Sequence, residues 1–231
     1  MNITPLKIDL IRQDPDSDDC LRACALMVFK YFKEPITKEE IWGKLHVYKK
    51  HSGLYGGYLS DLGSLAIKKG YQTIIHHYAT HTWDKDTIEA ANKGKQALKK
   101  KMNELKKAKR WPVRKLYSKS INYLELGGKY KIIFPTLDNL DKYLTQRIPV
   151  ILSVRAENFY QNPKASYPHY ILVIGKKEGK YIIRDPYLAV NKKDGNELLY
   201  AWMRHGGWMM VILPKKKKEE PPTVRQTKLR F

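Results

Sequence analysis

The chain has 231 residues, of which 42% are hydrophobic and 11% aromatic, so it can bury a core and wholesale disorder is excluded. Its 44 Lys and Arg against 23 Asp and Glu give a net charge of +21. The longest apolar runs, 149–154 and 208–213, are far shorter than the roughly 20 residues of a membrane-spanning helix. The N-terminus lacks the layout of a secretory signal. We therefore expect a cytoplasmic protein without a membrane span.

The positive charge is concentrated in two segments. Residues 79–131 hold 15 basic against 5 acidic residues, and residues 215–231 hold 7 against 2. The remainder of the chain has a net charge of only +6. The sequence therefore predicts one domain over 1–214, which contains a lysine-rich helical insertion at 79–131, and a disordered basic tail over 215–231. Such basic segments are either solvated surface or docking sites for nucleic acid or another acidic partner.

Helical patterns dominate the first half of the chain. A helix over 20–32 is apolar on nearly all sides, which is typical of a helix buried inside a domain. Thr37 followed by Glu40 is a capping-box pattern. Further helices are predicted over 38–45, 60–70 and 137–146, and a glycine-rich loop over 53–57.

The insertion contains one strong helical pattern. Apolar residues recur between Ile88 and Ala108 at helical spacing, with lysines between them. Asp84 or Asp86 can cap the start of this helix. The dipeptide Trp111-Pro112 is expected to end it, because a residue before proline avoids helical dihedral angles.

Strand patterns dominate the second half. β-Branched and aromatic residues predict strands over 71–78, 149–154, 170–175, 181–184 and 208–213. Residues 177–180 form a hairpin turn between two adjacent antiparallel strands. Helices come first and strands second, so the predicted fold class is α+β, with a helical half packed on an antiparallel sheet.

Cys20 is a candidate nucleophile because it stands at the start of the buried helix. A thiolate there is stabilised by unpaired backbone N–H groups and by the positive end of the helix dipole. Cys24 lies one turn further along and is predicted to be a core residue. Two cysteines on one helix face are poorly placed for a disulfide, which fits a reducing compartment.

His169 and Asp185 form a candidate base and its orienting carboxylate. His169 precedes the strand 170–175, and Asp185 ends the next strand. Because a short hairpin places the start of one strand beside the end of the other, the two residues should be neighbours.

Three histidines, His76, His77 and His81, suggest a metal cluster at first sight. They lack carboxylate or thiolate partners at a fixed spacing. The sequence therefore predicts neither a metal ion nor a cofactor.

At this point the sequence resembles a known family. The double-glycine leader peptidases that process bacteriocin precursors, and their wider relatives in peptidase family 39, share a set of motifs with this chain in the same order and spacing. The shared residues are Gln13, Asp19-Cys20, Ala23-Cys24, 27–31, His169-Tyr170, Gly175 and Asp185-Pro186. These enzymes are papain-like cysteine peptidases. The resemblance covers about 8–78 and 132–214.

The resemblance implies a fold and a set of catalytic roles. The fold would be papain-like, with the nucleophile on the buried helix. Cys20 would attack a carbonyl carbon, His169 would transfer the proton and Asp185 would orient the imidazole. The Gln13 side chain and the Cys20 backbone N–H would hold the oxyanion. The implied reaction is cleavage of a peptide or isopeptide bond, in a peptide or protein substrate, through a thioester.

Two alternatives remain open at the level of sequence. An amine could resolve the same thioester, which would make the protein an acyl or peptidyl transferase. In addition, Leu21 and Arg22 stand where the family usually has glycine and a small residue or proline. The chain could therefore be a catalytically weak binding module that docks on nucleic acid or another polyanion.

Overall fold

The structure of the protein is a computed structural model that describes residues 2–48, 56–78, 85–107 and 111–215. Within these ranges the helices are α1 (Cys20–Tyr31), α2 (Lys38–Lys44), α3 (Leu59–Lys68), α4 (Lys85–Asn92), α5 (Lys95–Lys107), α6 (Trp111–Glu125), α7 (Leu137–Leu144), α8 (Ala156–Phe159) and α9 (Gly195–Met203). The strands are β1 (Gln72–His77), β2 (Lys129–Ile132), β3 (Val150–Arg155), β4 (Pro168–Lys177), β5 (Lys180–Arg184), β6 (Lys192–Asp194) and β7 (Met209–Leu213).

All seven of these strands form one sheet in the order β2-β1-β7-β3-β4-β5-β6. Neighbouring strands are antiparallel except β1 and β2, which are parallel. The parallel pair requires a long crossover, and the helices between β1 and β2 lie in that connection. The predicted α+β class is confirmed, and the antiparallel sheet has one parallel edge that the sequence patterns missed.

The sheet carries a hydrophobic layer on each face. Alternate residues of β3 and β4 point to opposite sides, as the two-residue period of a strand requires. Leu172 and Ile174 pack in the core with α1, α2 and α3, whereas Ile171 and Val173 pack in the core with α7 and α9. Helix α1 lies against β4, and nine of its twelve residues are buried. The prediction of a buried central helix at this position is confirmed.

The prediction of a single long helix in the insertion is wrong. The segment forms two helices, α4 and α5, which are separated at Gly94, whose φ of +105° lies outside the helical region. Trp111-Pro112, predicted to end a helix, instead begins α6. Proline is tolerated in the first turn because its missing N–H has no partner within the helix there.

Tyr123 of α6 connects the insertion to the rest of the domain. Its hydroxyl is fully buried, accepts hydrogen bonds from Thr73 Oγ1 at 2.9 Å and Lys129 N at 3.2 Å, and donates to the Thr73 carbonyl at 3.0 Å. Gly63 and Gly128 make room for the ring, since a Cβ at either position would collide with it. The insertion thus shares its core with α3 and extends the sheet through β2.

Four sequence predictions concern residues outside the described ranges. These are most of the glycine-rich loop 53–57, His81, the capping role of Asp84, and the basic tail after Lys215. Lys215 itself pairs with Glu34 at 2.7 Å. Within the described ranges, no helix is long and apolar enough to cross a lipid bilayer.

Replacing Tyr123 by phenylalanine tests how the insertion is anchored. The Tyr123→Phe change removes the hydroxyl and leaves buried groups of Thr73 and Lys129 without this partner. We expect the free energy of unfolding to fall by about 1–3 kcal/mol in a urea titration. Tyr200→Phe, on the exposed face of α9, is the matched control and should change it by less than about 0.5 kcal/mol. Equal stability of Tyr123→Phe and the parent would contradict this role.

Candidate active site

Cys20 is the first residue of α1 and is 6% exposed at the edge of a cavity. The preceding residue, Asp19, occupies the N-cap position, yet its carboxylate does not cap the helix. It accepts hydrogen bonds from Arg22 Nη1 at 2.8 Å and from Trp42 Nε1 at 3.1 Å. The charge of Asp19 is therefore balanced by Arg22, and its side chain does not occupy the backbone N–H groups at the start of α1.

His169 and Asp185 are hydrogen-bonded neighbours, as the hairpin spacing predicts. His169 is the second residue of β4, and Asp185 follows directly after β5. The distance from His169 Nε2 to Asp185 Oδ1 is 2.7 Å, and the residues are 2% and 0% exposed. A buried pair at this distance fixes the orientation of the histidine ring.

The side chain of Cys20 lies close enough to the imidazole of His169 to raise its pKa. Because Nε2 of the ring is hydrogen-bonded to Asp185, Nδ1 is the ring nitrogen that is left for Cys20. Burial alone lowers the pKa of His169, but hydrogen bonds to Asp185 and Cys20, together with their charges, raise it to about 9. The structure therefore brings the three side chains together, with His169 hydrogen-bonded to Asp185, and favours a protonated imidazole at neutral pH.

The carboxylate of Asp185 is held by several further donors. The Tyr160 hydroxyl lies 3.1 Å from each of its oxygens, and the backbone N–H groups of Tyr187, Leu188 and Val190 donate to it at 3.0–3.3 Å. Burial alone raises the pKa of Asp185, but the hydrogen bond and charge of His169 and the backbone N–H groups of Tyr187 and Val190 hold it below the ordinary value. The pair is therefore kept in its charged form.

Tyr160 is a site residue that the sequence reasoning missed. It follows the four-residue helix α8, which no pattern indicated. Its ring centroid lies 5.8 Å from that of His169. No local motif separates it from the other 15 tyrosines of the chain. Only the folded arrangement of α8 beside the end of β5 identifies it.

Gln13 lies beside this group but not on the wall of the cavity. Its backbone N–H donates to the Pro186 carbonyl at 3.1 Å, which connects it to the turn after Asp185. Its side-chain Nε2 donates to the Ser17 carbonyl at 2.6 Å. One N–H of the amide is thus used within the loop before Cys20, and the second remains for another acceptor.

The cavity beside Cys20 has a volume of about 240 Å³. Its wall combines the glycine-rich loop with residues on both sides of His169 and with two residues of the insertion. The lining includes Gly57, Leu116, Tyr130, Tyr167, Tyr170 and Trp208. It is the place where a substrate can reach the Cys20 sulfur.

Leu21 and Arg22, where the chain departs from the family pattern, do not line this cavity. Leu21 is fully buried under Gly57. Arg22 turns toward α2, where it donates to the carbonyls of Trp42 and Leu45 at 2.9 and 2.8 Å. The bulk and the charge of these two residues therefore lie away from the Cys20 sulfur.

The remaining cysteine and histidine candidates are packed within the fold and lie outside the catalytic group. Cys24 is fully buried, and burial followed by the charges of Cys20 and Asp185 raises its pKa well above the ordinary value. His76 contacts Tyr143 Oη at 2.9 Å, and burial lowers its pKa to about 3. His77 stacks on Trp208. Across the described part of the chain, no three side chains form a metal-binding group.

A comparison with known protein families assigns the chain to one of them. The family model described as "Peptidase_C39 like family" matches residues 5–207. The chain belongs to this family. The match runs through 79–131, where the motif resemblance had a gap. Membership supports a cysteine peptidase function in general terms.

Among the solved structures similar to this chain, one supports a shared fold at low sequence identity. A putative C39-like peptidase from Bacillus anthracis superposes with a TM-score of 0.54 and 14% identity, over 94% of this chain and 100% of that chain. A double glycine motif protease from an AMS/PCAT transporter, in complex with the leader peptide, gives 0.49 and 15%, over 92% and 97%. The peptidase domain of Streptococcus ComA, a bi-functional ABC transporter of a quorum sensing pathway, gives 0.47 and 15%, over 90% and 98%. No curated protein matches the chain.

The two cysteines should differ sharply in reactivity. Cys20 borders the cavity and contacts His169, whereas Cys24 is fully buried with a raised pKa. We expect iodoacetamide at neutral pH to label Cys20 at least tenfold faster than Cys24, as measured by mass spectrometry of the folded protein. His169→Ala should slow the labelling of Cys20. Denatured protein, in which both thiols are accessible, is the control. Equal rates in the folded protein would contradict the assignment.

Proposed function

We propose that the protein is a cysteine peptidase that cleaves a peptide or isopeptide bond with Cys20, His169 and Asp185 as its triad. The observation that carries the proposal is the buried hydrogen bond between His169 and Asp185 beside Cys20, which itself borders a cavity. Family membership supports the same class of chemistry. A nucleophile, a base and an orienting group in this order are the requirement for thiol-based acyl transfer.

The first half of the reaction forms a thioester. The Cys20 sulfur attacks the carbonyl carbon of the scissile bond, and the carbonyl oxygen becomes negatively charged. The imidazolium of His169 then gives its proton to the leaving amine, so that the C–N bond breaks and an acyl-enzyme remains. The raised pKa of His169 suits this step, because the ring already carries the proton that the leaving group needs.

The second half hydrolyses the thioester. Neutral His169 removes a proton from a water molecule, the resulting hydroxide attacks the acyl carbon, and the Cys20 thiolate leaves. The acid product is released, and the imidazolium and thiolate are restored. Asp185 keeps its negative charge throughout and stabilises the imidazolium. Tyr160 acts as a positioning residue, since its hydroxyl contacts only the Asp185 carboxylate in this group.

We assign the oxyanion to the Cys20 backbone N–H and to the Gln13 side chain. The Cys20 N–H stands at the start of α1, and the Asp19 carboxylate is turned away toward Arg22 and Trp42. Gln13 keeps one amide N–H after donating to Ser17, and its loop leads directly to Cys20. Donors of this kind bind the negative oxygen that forms in the transition state.

The alternative of a catalytically weak binding module depended on Leu21 and Arg22. Both side chains face away from the cavity, one into the core and the other toward α2. None of the comparisons supports a nucleic-acid partner. Peptide cleavage is therefore the function that accounts for the largest number of site residues.

Peptide cleavage can be tested with a degenerate peptide library and mass spectrometry of the products. Cys20→Ala and His169→Ala should abolish cleavage, and Gln13→Glu should reduce it by about 10²–10³ fold. Cys24→Ala and the exposed Gln146→Glu are the matched controls and should retain activity. An added amine distinguishes hydrolysis from acyl transfer by the mass of the new product end. No cleavage of any peptide by the parent protein would refute the peptidase proposal.

The pH dependence of kcat/KM tests the electrostatic arrangement. Since the acid form of His169 is required and its pKa is raised to about 9, kcat/KM should fall as the pH rises through about 9. Asp185→Asn removes the negative charge that stabilises the imidazolium, so this descending limb should move to lower pH. The exposed Asp9→Asn is the control for a general charge effect. A limb that stays in place in Asp185→Asn would contradict the assigned role.

A further inference from the structure

Two residues of the insertion reach the cavity beside Cys20. Leu116 comes from α6 and Tyr130 from β2, and both contribute to its wall. Tyr167 and Tyr170, which stand on either side of His169 in the sequence, also line it. The insertion is therefore part of the surface that a substrate meets next to the reactive sulfur.

A glycine residue would leave the cavity empty, whereas the cavity is large enough to hold an aromatic ring. A closed cavity of about 150 Å³ accommodates benzene, and this one measures about 240 Å³. Five tyrosine and tryptophan residues line it: Tyr58, Tyr130, Tyr167, Tyr170 and Trp208. Aromatic rings pack favourably edge-to-face or offset against one another. Its size and its lining together favour an aromatic side chain.

The wall is held in place before any substrate binds. The Tyr130 hydroxyl is hydrogen-bonded to Ser120 at 2.8 Å, and its ring packs edge-to-face on Tyr123 with centroids 5.4 Å apart. The Tyr170 hydroxyl donates to the Gly57 carbonyl at 3.2 Å. Leu116 is only partly buried, so its side chain has surface left for a ligand. A rigid pocket of this kind selects side chains by size.

We propose that the cavity binds a large aromatic side chain of the substrate next to the scissile bond, and that Leu116 of the insertion determines its size. The inference rests on the proposed peptidase function and adds its specificity. It predicts aromatic residues at the recognised position, whereas a double-glycine motif would leave the cavity empty.

The test measures recognition separately from turnover. Peptidyl chloromethyl ketones that carry glycine, leucine, phenylalanine or tyrosine at each of the two positions before the reactive group alkylate Cys20, and mass spectrometry gives the rates. At one position, phenylalanine and tyrosine should react at least about tenfold faster than glycine. Leu116→Trp fills the cavity and should remove this preference, so that the phenylalanine and tyrosine probes react no faster than the glycine probes. Arg114→Trp, on the exposed face of the same helix, is the control.

The outcomes separate the two proposals. An aromatic preference that disappears in Leu116→Trp and persists in Arg114→Trp supports the assigned pocket, even if no peptide is hydrolysed. Should Leu116→Trp fold poorly by circular dichroism, Leu116→Ala replaces it, and the selectivity for phenylalanine over leucine should then fall by about tenfold or more. Cleavage of peptides combined with equal rates for all four probes, or with a preference that Leu116 substitutions do not alter, would overturn the inference and leave the peptidase function standing.

Discussion

The buried pair of His169 and Asp185 is the interaction on which the arrangement of the site depends. Two charged groups taken out of water are costly unless they are paired and their remaining hydrogen bonds are satisfied. Asp185 meets this condition with the imidazole at 2.7 Å, the Tyr160 hydroxyl and three backbone N–H groups. The β4–β5 hairpin, the turn after Pro186 and the short helix α8 therefore have to take their observed positions together. The same pair holds the imidazole against Cys20.

The sequence predicted the parts of the site that follow from local geometry. The spacing of a hairpin was enough to place His169 beside Asp185, and the apolar pattern of 20–32 was enough to bury α1. Other parts depend on contacts between distant segments. Tyr160 is hydrogen-bonded to the carboxylate of Asp185, 25 residues away, and Tyr123 is hydrogen-bonded to Thr73, 50 residues away. No periodicity of a single segment contains such information. The prediction that a helix ends at Trp111-Pro112 failed for another reason, since proline is compatible with either end of a helix.

Arg22 shows why neighbours in sequence are not neighbours around a reactive atom. Successive residues of a helix turn by about 100°, so Leu21 and Arg22 leave the face on which Cys20 stands. Leu21 enters the core, and Arg22 balances Asp19 and stacks near Trp42, with its guanidinium 5.7 Å from the ring centre. The guanidinium of Arg22, although close to Cys20 in the sequence, therefore links α1 to α2. The departure from the family pattern is thus accommodated in the packing.

The insertion carries +10 of the net charge of +21 and also contributes to the cavity wall, on different faces. Leu98 and Met102 of α5 and Tyr117 of α6 form a small core of their own, whereas Lys95, Lys100 and Lys107 are exposed to solvent. The apolar side continues through Tyr123 into the main core and through Leu116 to the cavity. An amphipathic segment of this kind can change its surface charge without altering the pocket, because the two properties reside on different faces. The basic surface and the cavity wall are therefore separable features of one segment.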